Sequence, residues 1–184
     1  MSSHPSAPRG REAVEAALLE AATQLFADYG PRAVSVRQIA AAAGVNHGLV
    51  HHYFGSKAAL LQAVLEQSAG HLAEHSQTEL ASADPSLAEK LDRHWRILAR
   101  SSLDGMDPAS LQRSYPLINQ LVAACIARGM SERAAREVAA RTVATEVGWR
   151  MLRGFIVEAL QLDEATTSQF DRGVLAASPE LTLA

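Results

Sequence analysis

Asn46-His47-Gly48-Leu49-Val50-His51-His52-Tyr53 gathers an asparagine, three imidazoles and a phenol into eight residues. At helical spacing Val50 faces inward and Phe54 follows it into the core. That leaves Asn46, His47, Gly48, Leu49, His51 and His52 on one outer face. Amide and imidazole groups on such a face can reach base edges or phosphates, and an exposed Leu49 can meet a thymine methyl. Ser35 and Arg37 open one helix and Lys57 opens another. Helix N-termini and cations there suit phosphate oxygens.

Two other constellations point to different chemistry. His71-Leu72-Ala73-Glu74-His75 is an H-x-x-E-H sequence, in which two histidines four apart can grip zinc and Glu74 can act as a base. A metal-dependent hydrolase is therefore the rival reading. No glutamate-bearing helix with the expected context follows it, and a solvated polar helix face is the plainer account. No metal, catalytic residue or cofactor is assigned. Glu146 is the only charge between Thr142 and Trp149. A carboxylate in an apolar stretch must be paired or used. Arg150, four residues on, is the simple partner, and a cationic or hydrogen-bonding ligand is the functional one. Trp95, Tyr115, Glu146, Trp149 and Arg150 form the candidate ligand-binding set, with Met151 and Phe155 as further large side chains able to line a cavity. Cys125 reads as a small buried hydrophobe.

The elements that must position these residues are all helical. Ser35 caps a helix, Gln38 completes a capping box, and Val36, Ile39, Ala40 and Ala43 give it one apolar side. Gly44 ends it, and Asn46 caps a helix from His47 to Tyr53. This is the layout of a helix-turn-helix whose second helix enters the DNA major groove. A preceding helix, Arg11 to Tyr29, carries the stripe Val14, Leu18, Ala21, Leu25 and Tyr29 and stops at Gly30-Pro31. After it, Ser56 caps a long helix to about Ala81 that buries Leu60, Leu61, Val64, Leu65 and Leu72. A break at Ala81–Pro85 leads to a helix capped by Ser86, with Glu89 at the capping-box position, ending near Leu103. Asp104–Pro108 is a turn. A helical stretch interrupted at Pro116 runs to Arg128, where Gly129 ends it. Ser131–Leu160 carries two stripes, Val138, Thr142, Thr145, Trp149, Leu152, Ile156 and Val143, Val147, Met151, Phe155, more than one small body can cover. A last helix, Glu164 to Ala177, carries Phe170, Val174 and Leu175.

The 184 residues allow one domain, or a small one joined to a larger. The net charge of −3 does not mark a globally basic nucleic-acid binder, but the charge is uneven: +1 through Gln62 and −4 beyond it. A single cysteine excludes an intrachain disulfide and fits a reducing cytosol. The N-terminus lacks the apolar core of a signal peptide, and no stretch approaches the ~18 apolar residues of a membrane helix. A cytoplasmic protein without a membrane partner is expected.

Phe26, Tyr29-Gly30, Ser35-Val36-Arg37, Ile39-Ala40, Ala43-Gly44-Val45, Gly48, Tyr53-Phe54, Gly55-Ser56-Lys57 and Leu60-Leu61 stand in an order and spacing that resembles the tetracycline-repressor (TetR) family of bacterial transcription factors. The resemblance covers roughly residues 11 to 65. It implies an all-α fold with a flexible arm (1–10), a three-helix helix-turn-helix DNA-binding domain (11–55) and a helical effector-binding and dimerisation domain (56–184). It further implies a homodimeric, non-enzymatic repressor, or an activator on the same fold, released from an inverted-repeat operator in double-stranded DNA by a small-molecule effector. By resemblance Ser35, Arg37, Asn46, His47, Gly48, Leu49, His51, His52, Tyr53 and Lys57 meet DNA, Tyr53 through a backbone phosphate. The family often has Ser or Thr at 46, Lys or Arg at 47, Thr at 49 and Tyr at 51, so Asn46, His47, Leu49 and His51 are departures.

Overall fold

Helix ends dominate this chain. The computed structural model describes residues 10–79 and 85–171. The expectations placed on the N-terminal arm, on the break before Pro85 and on Val174 and Leu175 lie outside those residues. Among the described residues there are nine helices and no strand: α1 (Arg11–Tyr29), α2 (Val36–Ala42), α3 (Gly48–Phe54), α4 (Lys57–Glu79), α5 (Pro85–Leu103), α6 (Pro108–Leu111), α7 (Pro116–Ala127), α8 (Glu132–Leu160) and α9 (Glu164–Asp171). The all-α fold is as the sequence implies. The chain divides into two compact units. One draws on the residues up to Gln67 and on Arg100–Arg113, the other on Ser68–Ala99 and the chain from Ser114 onward.

The first unit closes around Leu18, Ala22 and Phe26 of α1, Ile39 and Ala40 of α2, Val50 of α3 and Leu60, Leu61, Val64 and Leu65 of α4, all buried. The α1 stripe is offset from the expected one. Val14, Leu18, Ala22 and Phe26 face inward at strict four-residue steps, and Tyr29 is 63% exposed. Phe26 is the reason: its ring takes the inward position at the end of the helix, so the helix turns Leu25 and Tyr29 aside.

In the second unit Ala69, Leu72 and Ala73 of α4, Leu87, Trp95 and Ile97 of α5, Cys125 of α7, and Ala135, Ala139 and Trp149 of α8 are buried. α5 begins at Pro85, one residue before the expected cap Ser86. Proline suits a first helical turn, where its missing N–H has no partner to lose. Ser131 does cap α8, accepting from the Ala134 N–H at 3.3 Å. The inner side of α8 is the row Ala135, Ala139, Glu146 and Trp149. The expected stripes lie partly outside it: Met151, Leu152 and Phe155 are exposed, Phe155 to 70%, as is Leu160 at the end of the helix.

His94 is buried beside Trp95, its Nδ1 2.7 Å from Ser68 Oγ. Burial lowers its pKa from 6.5 to about 4. Above pH 6.5 the ring is neutral both folded and unfolded. As pH falls from 6.5 towards 4, the unfolded chain takes up a proton that the folded chain refuses. Stability should therefore fall through that window, by up to about 3 kcal/mol. Urea unfolding across it should show this slope in the wild type and its loss in His94→Gln. Equal slopes would remove His94 from the acid response.

Candidate nucleic-acid interface

Each end of α2 and α3 is fixed by a local hydrogen-bond device. Ser35 Oγ accepts from the Gln38 N–H at 3.3 Å and Gln38 Oε1 accepts from the Ser35 N–H at 2.8 Å, closing the capping box. At the other end of α2, the Val45 N–H reaches Ala40 O and the Gly44 N–H reaches Ala41 O, with Gly44 at φ 67°. That is a Schellman stop, and the positive φ is why a glycine stands there. Asn46 Oδ1 accepts from the Gly48 N–H at 2.8 Å. Asn46 thus acts as the cap of the next helix, whose regular hydrogen-bonded part begins at Gly48 rather than His47. Ser56 Oγ accepts from the Ala59 N–H at 3.0 Å and caps α4.

These devices leave an outer face. Asn46, His47, Gly48, His51 and His52 of the α3 segment are exposed, as are Ser35 and Arg37 at the start of α2. Val50 anchors α3 from the inside, fully buried. Two details differ from expectation: Leu49 is half-buried rather than exposed, and Phe54 is half-buried rather than core. A seven-residue helix with a single buried anchor cannot turn every apolar residue fully to one side. Tyr53 is half-buried, with its ring edge against His52 at 4.9 Å and the Arg11 guanidinium 5.8 Å from its centroid. That cation–π contact ties α1 to α3. Nothing in the spacing of residues 42 apart announces it.

His51 Nδ1 lies 3.1 Å from Gly55 O. A carbonyl only accepts, so Nδ1 carries the proton in that bond. The neutral ring then offers Nε2 as an acceptor, suited to the exocyclic amine of adenine or cytosine.

Lys57 departs most from the expected phosphate role. Its Nζ donates to Pro31 O and Val34 O, both at 2.9 Å, and is part-buried there. The turn from α1 to α2 leaves these carbonyls without helical partners, and the ammonium supplies donors for both.

The candidate ligand residues all belong to the second unit. Glu146, only 2% exposed, pairs with Arg150 at 3.1 Å, and Arg150 also holds Asp92 at 3.1 Å. Trp149 stacks on Phe170 at 4.7 Å and donates to Asp171 at 3.2 Å. Asp171 also takes both ends of the Arg153 fork, which holds its carboxyl below the usual range. Tyr115, at the start of α7, is 37% exposed. Trp95 is buried, and among the described residues its Nε1 has no hydrogen-bond acceptor. Of the H-x-x-E-H group, His75 Nδ1 meets its own helix at His71 O (2.7 Å), His71 Nε2 meets Lys90 Nζ (2.9 Å) and Glu74 is exposed. Among the described residues no three His, Cys, Asp or Glu side chains gather to hold a metal.

The model of the family described as "Bacterial regulatory proteins, tetR family" matches residues 18–64. The chain is 43% identical over 161 residues to the HTH-type transcriptional repressor Rv3405c of Mycobacterium tuberculosis (strain ATCC 25618 / H37Rv), a match covering 86% of this chain and 84% of that protein. Its fold is similar to that of a tetR-family transcriptional regulator from Streptomyces coelicolor, with a TM-score of 0.62 at 20% identity over 91% of this chain and 79% of that one. It is also similar to the transcriptional regulator FadR from Bacillus subtilis, solved in complex with stearoyl-CoA, with a TM-score of 0.54 at 19% identity over 88% and 97%.

The Lys57 geometry makes a prediction distinct from phosphate binding. Lys57→Ala should destabilise the protein by about 2 kcal/mol, since charged donors to carbonyls contribute more than neutral ones. Unfolding in urea without DNA is the measurement. Unchanged stability beside weakened DNA binding would restore the simple phosphate role.

Proposed function

This chain belongs to the tetR family of bacterial regulatory proteins and is a DNA-binding transcriptional regulator; on that premise we propose that it is a homodimeric cytoplasmic repressor of an inverted-repeat operator, released by a small-molecule effector. One observation carries the DNA part: α3 presents Asn46, His47, Gly48, His51 and His52 outward between two capped, buried-anchored neighbours. In this reading α3 enters the major groove. Asn46, His47, His51 and Leu49 meet base edges. Ser35, Arg37 and Tyr53 meet phosphates, and His52 lies at the groove wall. Lys57 contributes its remaining donor. The regulatory reading involves no catalytic step.

The dimer is supported by the apolar groups α8 leaves in solvent, Met151, Leu152, Phe155 and Leu160. A two-fold axis there pairs two heads with half-sites about 34 Å apart. The effector site is supported by Trp95, whose buried N–H lacks an acceptor that a ligand oxygen would supply. Tyr115, Glu146, Trp149 and Arg150 complete the proposed ligand-binding set. Since Arg150 pairs with both Glu146 and Asp92, and Arg96 pairs with Asp92 as well, two cations already balance the two carboxylates and the effector need not be a cation. FadR, the neighbour solved with stearoyl-CoA, lends precedent for an effector held by this fold. An effector that favours one pose of the heads over another displaces the protein from DNA by that difference in affinity.

Selection from a random DNA pool should return an inverted repeat. Tyr53→Phe should weaken binding to all sequences alike, and His47→Ala should change the preferred sequence. Phe155→Glu should sediment as a folded monomer and lose the palindrome. A pool yielding no palindrome, or a wild type that sediments as a monomer at micromolar concentration, contradicts this reading.

The effector arm has its own test. Compounds that quench tryptophan emission in the wild type and not in Trp95→Phe should be titrated with and without operator. Linkage requires operator to weaken their binding by the factor by which they weaken operator binding. An affinity indifferent to operator would rule the compound out as an inducer.

A further inference from the structure

The Gly30–Val34 turn joins α1 to α2 and so decides where the capped start of α2 lies. Two side chains of opposite charge hold it. Lys57, the first residue of α4, donates to Pro31 O and Val34 O. Asp104, from the far end of α5, accepts the Arg32 N–H through Oδ2 at 3.1 Å. Asp104 is itself held in place. The Gly105 N–H reaches Ser102 O at 3.0 Å and the Met106 N–H reaches Ser101 O at 2.9 Å, with Gly105 at φ 76°. This Schellman stop puts Asp104 at the C-cap of α5. The approach to the turn is close: a Cβ on Gly30 would stand 3.5 Å from Asp104 Oδ2 and 3.7 Å from Arg100 Cβ.

We propose that Asp104 is a positioning residue of the DNA-reading head: by holding the Arg32 N–H opposite Lys57, it fixes the turn that carries α2 and thereby the pose of α2 and α3 on the operator. The two carriers matter. Both α4 and α5 contribute residues to both compact units. A displacement of either helix is therefore delivered to the same five-residue turn, by α4 as a cation on carbonyls and by α5 as an anion on an amide. The inference rests on the operator-binding reading and adds to it a residue outside the N-terminal segment.

The sign of the effect separates positioning from charge. Asp104 is an anion in the unit that binds a polyanion, so on charge alone its removal strengthens binding to every sequence. As a positioning residue, Asp104→Ala instead weakens binding to the selected operator, about threefold to tenfold, while binding to random-sequence DNA stays equal or tightens. Asp104→Asn keeps an oxygen for the Arg32 N–H and retains operator binding. Without DNA, amide exchange at Arg32 and through Val36–Ala42 speeds up by a similar factor in Asp104→Ala and not in Asp104→Asn. Operator affinity in Asp104→Ala equal to or above the wild type, or unchanged exchange through α2, overturns the proposal. A wild type that selects no operator would defeat the repressor reading instead, and the exchange comparison still decides this one.

Discussion

Seven residues are too few for a helix to persist in water, because the cost of the first turn is spread over too few hydrogen bonds. α2 and α3 are both that short, and the rest of the head is arranged around that deficit. Ser35 with Gln38, the Gly44 stop, Asn46 on Gly48 and the Gly55 N–H on His51 O satisfy backbone groups that would otherwise be orphaned. Ile39, Ala40 and Val50 supply the inward anchors, buried in the same unit as Leu18, Phe26 and Leu60 of longer helices. The outward face of α3 can be almost wholly polar because so little of the helix's stability depends on it.

The second unit solves a different problem, which is what to do with polar groups in a helical interior. Glu146 is buried with an arginine that also serves Asp92, so a charge is shared rather than left bare. His94 is kept neutral by burial and given a hydroxyl partner. Trp149 finds Asp171. Trp95, without an acceptor among the described residues, stands apart from these solutions.

What the sequence made legible follows the range of the interactions. The bounds of α1, the cap at Ser35, the stops at Gly44 and Gly129, the caps at Ser56 and Ser131 and the inner row of α4 all rest on contacts within a turn or two of helix, which spacing encodes directly. The reach of Asp104 to Arg32 spans 72 residues and that of Arg11 to Tyr53 spans 42, and no local pattern carries such a pairing. Lys57 was read by residue type, as a cation at a helix start. In the structure its Nζ also meets carbonyls of a turn 26 and 23 residues earlier. The stripe of α1 is apolar but out of phase, since periodicity tells which residues share a face and not which of two adjacent faces a bulky residue such as Phe26 will claim; in α8 Trp149 of the first stripe is buried and Met151 and Phe155 of the second are exposed.

The composition of α3, Gly-Leu-Val-His-His-Tyr-Phe, without lysine or arginine, has a kinetic consequence. Random DNA attracts a searching protein through fixed cations, and each phosphate neutralised lengthens the stay on a wrong site and steepens the dependence on ionic strength. On the proposed reading α3 brings imidazoles to the groove and lacks that grip, which falls to cations outside it such as Arg37. A helix of that kind, on the proposed reading, samples a site briefly and commits only where hydrogen bonds of short reach close together. On that reading the helix gives up some speed of scanning along the duplex, and the salt dependence of binding is set by the cations around it rather than by the helix that reads the bases.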